Sequence, residues 1–428
     1  MNAELSSTVL LAGIRTPFQR AGTGFRDLMS YQLAAAAIAG VLRRAEVEPT
    51  VVDRVILGAT VHNPRTTNVA REAALAAGLP ATVPAMTVTA AGASATAAIS
   101  TGADLIATGQ ADVVIAGASD CVSDPPIGYS RKMRSKLLAG RRLKTLGQKL
   151  RFLASLRPWD FLPDMPDVRE FSTGLTMGEY TEQLARQLAI GREAQDAYAL
   201  ESHRRAAAAT DAGWLAEEIT GVDTRGTRIT EDNGIRADTS PERLAHLKPS
   251  FDPAGGTLTA GNSSFLTDGA AVVLLASRRW AEEHGTSIIA ELRGQVMTAH
   301  DPGSELLLGP AFAIPRLLAA CQVPFEDVDV FEIHEAFAAQ ILAVIRLLAA
   351  GEVLGRPLAA AEHVGEIAAE KLNAWGGSLA IGNPFAPNGA RLVTTAGHRL
   401  RRDGGRYAVV ATCAGGGLGQ AMLWQRDA

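Results

Sequence analysis

Two distant stretches of this chain follow one rhythm, and that repetition limits the folds open to it. "ATAAISTGADLIATGQADVVIAGASD" (95–120) and "GARLVTTAGHRLRRDGGRYAVVATCAGG" (389–416) each begin at a small-residue turn. Each continues through an amphipathic helix and a polar break into an apolar strand with a glycine-bearing end. Such a unit buries its strand by packing the helix against a sheet, so two copies predict a layered α/β fold built in two halves. Around the first copy, "TVLLAGI" (8–14), "DRVILGATV" (53–61), "AMTVTA" (85–90) and "DVVIAGA" (112–118) read as strands, and "SYQLAAAAIAGVLRRAEV" reads as a helix. The pattern divides the 428 residues into an N-terminal half (1–120), an insertion that returns to the core (121–275) and a C-terminal half (276–428).

Hydrophobic residues make up 47% of the chain, enough for a large core, yet no apolar run reaches the roughly 18 residues that span a bilayer. The first residues lack the basic start, apolar block and cleavage site of an export signal. Three cysteines (Cys121, Cys321 and Cys413) supply neither a disulfide framework nor a zinc spacing, which points to a reducing cytoplasm and no metal. A net charge of −4 gives no reason to expect nucleic acid as a partner.

The insertion departs from this average. Residues 131–157, "RKMRSKLLAGRRLKTLGQKLRFLASLR", hold ten Lys/Arg and no acid. Leu143, Leu146, Leu150 and Leu153 step by helical spacing, which places them on one helix face. A basic amphipathic helix suits an anionic membrane surface, a partner protein or the phosphates of a ligand. The alternative is a surface helix docked on its own domain with its lysines in solvent.

Four segments invite chemistry. "MTVTAAGASATAAIS" (86–100) is a strand-turn-helix joint of the kind that presents a nucleophile over a helix N-terminus, but its turn carries only Ala90, Ala91, Gly92 and Ala93. "DVDVFEIHEAFAAQ" (327–340) places His334 where a strand runs into a helix, and "WGGSLAIGNPFAPNGAR" (375–391) is a loop that requires positive φ at several positions. "VVATCAGGGLGQAM" (409–422) ends a strand at Cys413; its glycines precede a β-like run and no helix, which excludes a dinucleotide loop. Alone, His334 reads as a structural histidine and Cys413 as a small buried hydrophobe. The duplication changes this, because loops of both halves gather at one end of a sheet. With Gly92 and Cys413 at equivalent places in the repeat, the two turns are expected to face each other across a pocket.

The motifs "RTPF", "PPIGYSRKM", "FSTGLTMGE", "EDNGIR", "TAGNSSFLTDGAA", "HEAFAAQ", "GGSLAIGNPFAPNGAR" and "CAGGGLGQAM" stand in an order that resembles the thiolase family. Within it the chain is similar to the β subunits of fatty-acid oxidation trifunctional complexes, over nearly its whole length. The resemblance implies a thiolase fold: duplicated α/β halves in a five-layered core, plus a helical loop domain that contributes coenzyme A contacts. It also implies a homodimer or homotetramer, an acyl-CoA substrate with no tightly bound cofactor, and a hydratase/dehydrogenase-type partner or a membrane surface near 131–157.

Carried over by position, the family's nucleophilic cysteine falls on Gly92 and its activating histidine on Asn383. The acid/base cysteine is present as Cys413, the oxyanion-hole position as His334, and Gly415 offers a backbone N–H. Met177 falls in the substrate pocket and Ser263 in the coenzyme A contact. Glycine has no side chain to acylate, so transfer through residue 92 is chemically impossible. Ser94 and a Cys413–His334 pair are the remaining candidates for covalent rescue. The expected activity is therefore C–C bond formation or cleavage beside a CoA thioester, through an enolate, without an acyl-cysteine. A silent acyl-CoA-binding scaffold is the alternative from another class, and acyl transfer by Cys413 or by direct thioester attack is a third.

Overall fold

The computed structural model describes residues 6–164 and 168–427. Its main sheet is built from β1 (Thr8–Arg15), β2 (Arg54–Gly58), β3 (Ala85–Val88) and β4 (Val113–Asp120), then β5 (Thr267–Ser277) and β6 (Ala290–Ala299). The last three strands are β7 (Val330–Ile333), β8 (Tyr407–Ala414) and β9 (Leu418–Gln425). The path runs β7-β8-β9-β6-β1-β5-β4-β2-β3, and a short strand at Gln19–Arg20 pairs with β5 off that path. Among these nine strands, parallel strand pairs occur in β3-β2-β4 at one end and β7-β8 at the other. The two halves meet in a brief antiparallel register, Val9 opposite Glu291 and Leu10 opposite Ala290.

The helices sort by which face of the strands they cover. From the N-terminus they are α1 (Ser30–Ala45), α2 (Val69–Ala76), α3 (Ser94–Ala107), α4 (Arg131–Gly140) and α5 (Leu146–Ser155). There follow α6 (Met177–Gln187), α7 (Arg192–Asp211), α8 (Gly309–Cys321), α9 (Ala338–Ala350) and α10 (Asn388–Asp403). Successive side chains of a strand point to opposite faces, and the buried clusters follow that alternation. On β4, Val113 and Ile115 pack with α1 and α2, while Val114, Ala116 and Ala118 pack with α3 and α10. On β8, Ala408 and Val410 face the same α3–α10 layer, while Val409, Ala411 and Cys413 face α8 and α9. The result is five layers, with α3 and α10 side by side in the middle, between the two halves of the strand array.

The repeat is visible in the elements. From Ser94 to Val113 and from Asn388 to Tyr407, helix start to strand start, the step is the same. That step pairs Gly92 with Ala386 and Cys413 with Ser119, so the expectation that Gly92 and Cys413 are equivalent is wrong. One precedes a helix and the other ends a strand. They nevertheless meet, because α3 lies against β8: Thr96 and Thr412 share a hydroxyl contact of 3.4 Å, and Gln420 Nε2 donates to Ser100 Oγ at 2.6 Å.

The basic segment also differs from expectation. It folds as two helices, α4 and α5, and Leu143 falls in the turn between them. Helix α5 restarts at Thr145, whose hydroxyl accepts from Gln148 N while the Gln148 side chain accepts from Thr145 N, a capping box that fixes a new N-terminus. Leu146, Leu150 and Leu153 do share a face of α5, and all three are exposed.

Because α10 is held on both sides, Leu392, fully buried in the middle layer, is a sensitive position. Leu392→Ala is expected to destabilise the fold by about 2–5 kcal/mol, and Leu150→Ala on exposed α5 by less than about 0.5 kcal/mol. Chemical denaturation of the two variants side by side checks the contrast.

Candidate active site

Parallel strands end together, and here five of them end at one cavity of about 900 Å³. Thr60 follows β2, the Ala91–Gly92 turn follows β3, Val122 follows β4, His334 follows β7, and Cys413 lies at the end of β8. The rest of the wall is mostly apolar, with Met177, Phe251, Leu266, Leu307, Phe337 and Phe385, the character of a pocket that takes a largely apolar ligand and orients it with few polar groups.

The turn before α3 is tightly wound. Ala91 has φ of 47°, a left-handed conformation that costs a non-glycine residue on the order of 1 kcal/mol or more. Its carbonyl accepts from Thr60 Oγ1 at 3.1 Å and from Ser94 Oγ at 2.6 Å, and Ser94 Oγ also accepts from Ala90 N. Ser94 is buried and its hydroxyl is committed to the turn, which leaves it no part as a nucleophile. A Cβ on Gly92 would stand 3.0 Å from the Cys413 carbonyl oxygen and 3.8 Å from Ala414. The turn is thus shaped to present residue 92 to the cavity, and residue 92 has nothing to present.

Cys413 is 2% exposed, among the apolar side chains that β8 turns toward α8 and α9. Burial pushes its thiol up to about 12, because a thiolate there would lose its hydration. His334 is also buried, and burial first, then the positive charge of Arg391, brings its imidazolium pKa down to about 3. The ring is therefore neutral at ordinary pH. Its Nδ1 lies 2.9 Å from Ser378 Oγ, and its backbone N–H donates to the Ala411 carbonyl, which seats it beside β8.

Asn383 is held at both ends of its amide. Its Oδ1 accepts from Phe385 N at 2.9 Å and Asn388 Nδ2 at 2.7 Å, and its Nδ2 donates to Ser264 Oγ at 3.0 Å. One N–H of the amide remains for a ligand. The loop around it takes the positive φ foreseen from its composition, at Gly376, Gly382 and Phe385.

Gly92, Met177, Ser263, His334, Asn383, Cys413 and Gly415 all line this one cavity. Ser263 Oγ is buried without a hydrogen-bond partner among the described residues, a hydroxyl free to meet a polar ligand atom. A Cβ built on Gly415 would find Ala91 Cβ, Glu170 Oε2 and Met177 Cε each at 3.8 Å, so the two turns and the insertion converge there. Among the described residues, no cluster of three or more His, Cys, Asp or Glu is arranged to hold a metal.

Several groups escaped the sequence reading. Glu170 from the insertion accepts from Gly416 N at 2.7 Å and Ser172 Oγ at 2.8 Å, tying the insertion to the glycine turn. These bonds, working against burial, hold its carboxyl below the usual range. Asp120, wholly buried at the end of β4, accepts from Thr60 N, Val61 N and Ala386 N, and burial raises its pKa to about 7. Glu335 collects Tyr198, Ser202, Asn373 and Leu379 N. Apart from the Ser172 contact of Glu170, the partners of these acids lie far away in sequence, so only Glu335, within the "HE" pair, carried a local signal.

Two family models together cover the chain: the thiolase N-terminal domain matches residues 8–279 and the thiolase C-terminal domain residues 286–426. The mitochondrial trifunctional enzyme subunit beta of Bos taurus is 45% identical over 423 residues, covering 98% of this chain and 88% of that protein. A probable 3-ketoacyl-CoA thiolase of Caenorhabditis elegans is 40% identical over 421 residues, covering 98% and 94%. Among solved structures, the acetyl-CoA acetyltransferase of Bacillus anthracis superposes with a TM-score of 0.85 at 32% identity, covering 99% of each chain. Human mitochondrial 3-ketoacyl-CoA thiolase in complex with CoA superposes with the same TM-score at 30% identity, also covering 99% of each chain. With both halves matched and relatives above 40% identity over nearly its full length, this chain belongs to the thiolase family.

Proposed function

We propose that this thiolase-family protein acts on an acyl-CoA and makes or breaks a C–C bond beside the thioester through an enolate, with no acyl-enzyme at position 92. The observation that carries the reading is the asymmetry of the cavity. The turn before α3 offers the cavity only glycine at residue 92, whereas Cys413 and a neutral His334 line the same space.

Cys413 exchanges a proton with the α-carbon: its thiolate takes one to form the enolate, and its thiol returns one when the bond breaks. His334 donates a hydrogen bond to the thioester oxygen as negative charge develops there, with the Gly415 backbone as a second donor. Donors fixed in advance in a water-poor site stabilise such charge without reorganising. Asn383 offers its remaining N–H to the carbonyl of the second reactant, and the space without a side chain at Gly92 accommodates that reactant. Ser263 is the proposed contact for coenzyme A.

The relatives' names carry a second reading, thiolysis of a 3-ketoacyl-CoA. With glycine at 92, the sulfur of free CoA would attack the ketone carbon directly, its proton passing to the Cys413 thiolate. The C2–C3 bond then breaks, the enolate of acetyl-CoA departs, and Cys413 protonates its C2. The shortened acyl group leaves on the attacking CoA. Both readings share the enolate and differ in the electrophile. A scaffold without chemistry would need neither Cys413 nor His334.

For the insertion we infer contact with an anionic membrane surface. No helix among the described residues is long and apolar enough to cross a membrane. The α4–α5 hairpin and the turn that follows it (Pro158–Phe161) instead leave Leu138, Leu146, Leu150, Leu153, Trp159 and Phe161 more than half exposed near its Lys and Arg side chains. Apolar side chains set among cations match an interface of acyl chains beneath anionic headgroups.

Three outcomes are expected. The protein should exchange the α-protons of acyl-CoAs with deuterated water, read by mass spectrometry, and Cys413→Ala should lower that rate at least a hundredfold. Because the thiol is held near 12, the rate should climb about tenfold per pH unit up to pH 10. Levelling near 8.5, the ordinary thiol value, would identify another environment for the base. No exchange with any acyl-CoA that binds would overturn the enolate reading.

Gly92→Cys combined with Asn383→His should create a protein that becomes acylated at position 92 by a 3-ketoacyl-CoA, seen as a mass increase, while neither single change suffices. Failure of the pair would show a pocket diverged beyond those two positions. Leu150→Glu with Leu153→Glu should abolish co-sedimentation with vesicles rich in phosphatidylglycerol. If the unaltered protein does not sediment with them, the hairpin faces a protein partner, such as a hydratase/dehydrogenase-type subunit, and the membrane contact is refuted.

A further inference from the structure

We propose that Ser378 and Arg391 are positioning residues that hold His334 in the tautomer protonated on Nε2, so that the ring donates to the thioester oxygen rather than accepts. The inference rests on the reading of His334 as an oxyanion donor and supplies what that reading lacks. A neutral imidazole carries one N–H, and if it sat on Nδ1 the ring would turn a lone pair toward the developing negative charge.

The geometry around Nδ1 decides which nitrogen holds the proton. Ser378 Oγ lies 2.9 Å from Nδ1 and 3.4 Å from Asn388 Oδ1, and Arg391 Nη2 lies 3.3 Å from the same oxygen. Arg391 can only donate, so the hydroxyl oxygen already accepts. The hydroxyl proton then has two acceptors to choose from, Nδ1 at good distance or Asn388 Oδ1 at the limit of a hydrogen bond. The Asn388 amide cannot turn to improve its offer, because its Nδ2 donates to Asn383 Oδ1 and to the Phe385 carbonyl.

Charge makes the same choice. Arg391 is fully buried, and its Nε and Nη1 make no hydrogen bond among the described residues. Its nearest carboxylate, Glu332, stands 3.7 Å away and is shared with Arg399, which it meets at 2.8 Å, and the charges of Glu218 and Glu335 beyond it do not offset the burial of the guanidinium. This incompletely neutralised guanidinium lies on the Nδ1 side of the imidazole. A lone pair facing it is favourable and an N–H facing it is not. Both arguments put the lone pair on Nδ1 and the proton on Nε2, the nitrogen left for the cavity.

Ser378 is itself held in place. It opens the short helix Ser378–Ile381, whose next residue, Leu379, donates its backbone N–H to Glu335 Oε2. Glu335 also binds Tyr198 and Ser202 from α7 and Asn373 Nδ2, so the turn that carries the hydroxyl is fixed from three directions. Holding a buried arginine short of partners costs stability, and an aligned oxyanion donor is a return for it.

The test reads the tautomer directly. Nitrogen-15 NMR of protein labelled at histidine distinguishes a protonated from an unprotonated ring nitrogen, with His334→Gln identifying the signals. The expected result is a neutral ring with the proton on Nε2 from pH 6 to 9. Ser378→Ala should give a mixture of tautomers and slow α-proton exchange by about tenfold to a hundredfold with KM little changed, a smaller loss than deletion of a donor. Ser378→Thr, which keeps the hydroxyl, should restore both signals. A proton on Nδ1 in the unaltered protein, or a spectrum that Ser378→Ala leaves unchanged, overturns the proposal whatever the exchange assay gives. An Nε2-protonated ring in a protein that exchanges no α-protons would refute the enolate reading and leave the positioning role standing.

Discussion

Everything at the candidate site depends on the burial of α3 and α10 against each other and against strands of both halves. Neither helix has a polar face to give to solvent over most of its length, and α10 keeps twelve of its residues buried, Arg391 and Arg399 among them. That packing fixes the N-terminus of α3 next to the end of β8, and so brings Gly92 within reach of the Cys413 carbonyl. A pocket assembled from five strand ends stays in register because the middle layer cannot slide without exposing apolar surface on both of its faces.

Polar clamps then refine what the packing sets roughly. Asp120 ties the loop after β2 to the Ala386 backbone before α10, one half to the other, through a single buried carboxylate. Glu170 does the same between the insertion and the glycine turn. Both rely on backbone N–H groups, which need no particular partner side chain. This is why they left no trace in the sequence, whereas the glycines that allow the turns were visible at once.

The layered fold was legible because helix and strand periods recur in order, and because two copies at one spacing constrain each other. The cavity was legible through the residues that end strands: Cys413 and His334 stand at such joints, and Gly92 was conspicuous as a gap. What the sequence could not show was contact between copies. The expected equivalence of Gly92 and Cys413 failed because like segments of a repeat need not face each other; here the helix start of one half meets the strand end of the other. The leucine spacing over 143–153 suggested one helix, but a capping box at Thr145 outweighed it, since a satisfied N-terminus stabilises a new helix locally whatever the spacing of the apolar residues before it.

Under the proposed function, Gly92 and Asn383 make chemical sense as a pair. An imidazole at 383 would offer a basic lone pair to the turn before α3. The asparagine offers none, because both lone-pair directions of its Oδ1 are taken by Phe385 N and Asn388 Nδ2. With no thiol at 92 to deprotonate, a base at 383 would be a buried polar group without work, and the amide instead completes a chain of hydrogen bonds. That chain runs from Ser264 through Asn383 to Asn388, whose Oδ1 lies 3.4 Å from the Ser378 hydroxyl beside His334. Under the proposed function, the amide network around Asn383 thus extends to the neighbourhood of the group that would meet the developing charge. Buried amide hydrogen bonds hold the loop around Asn383 in one arrangement, which the role proposed for His334 needs.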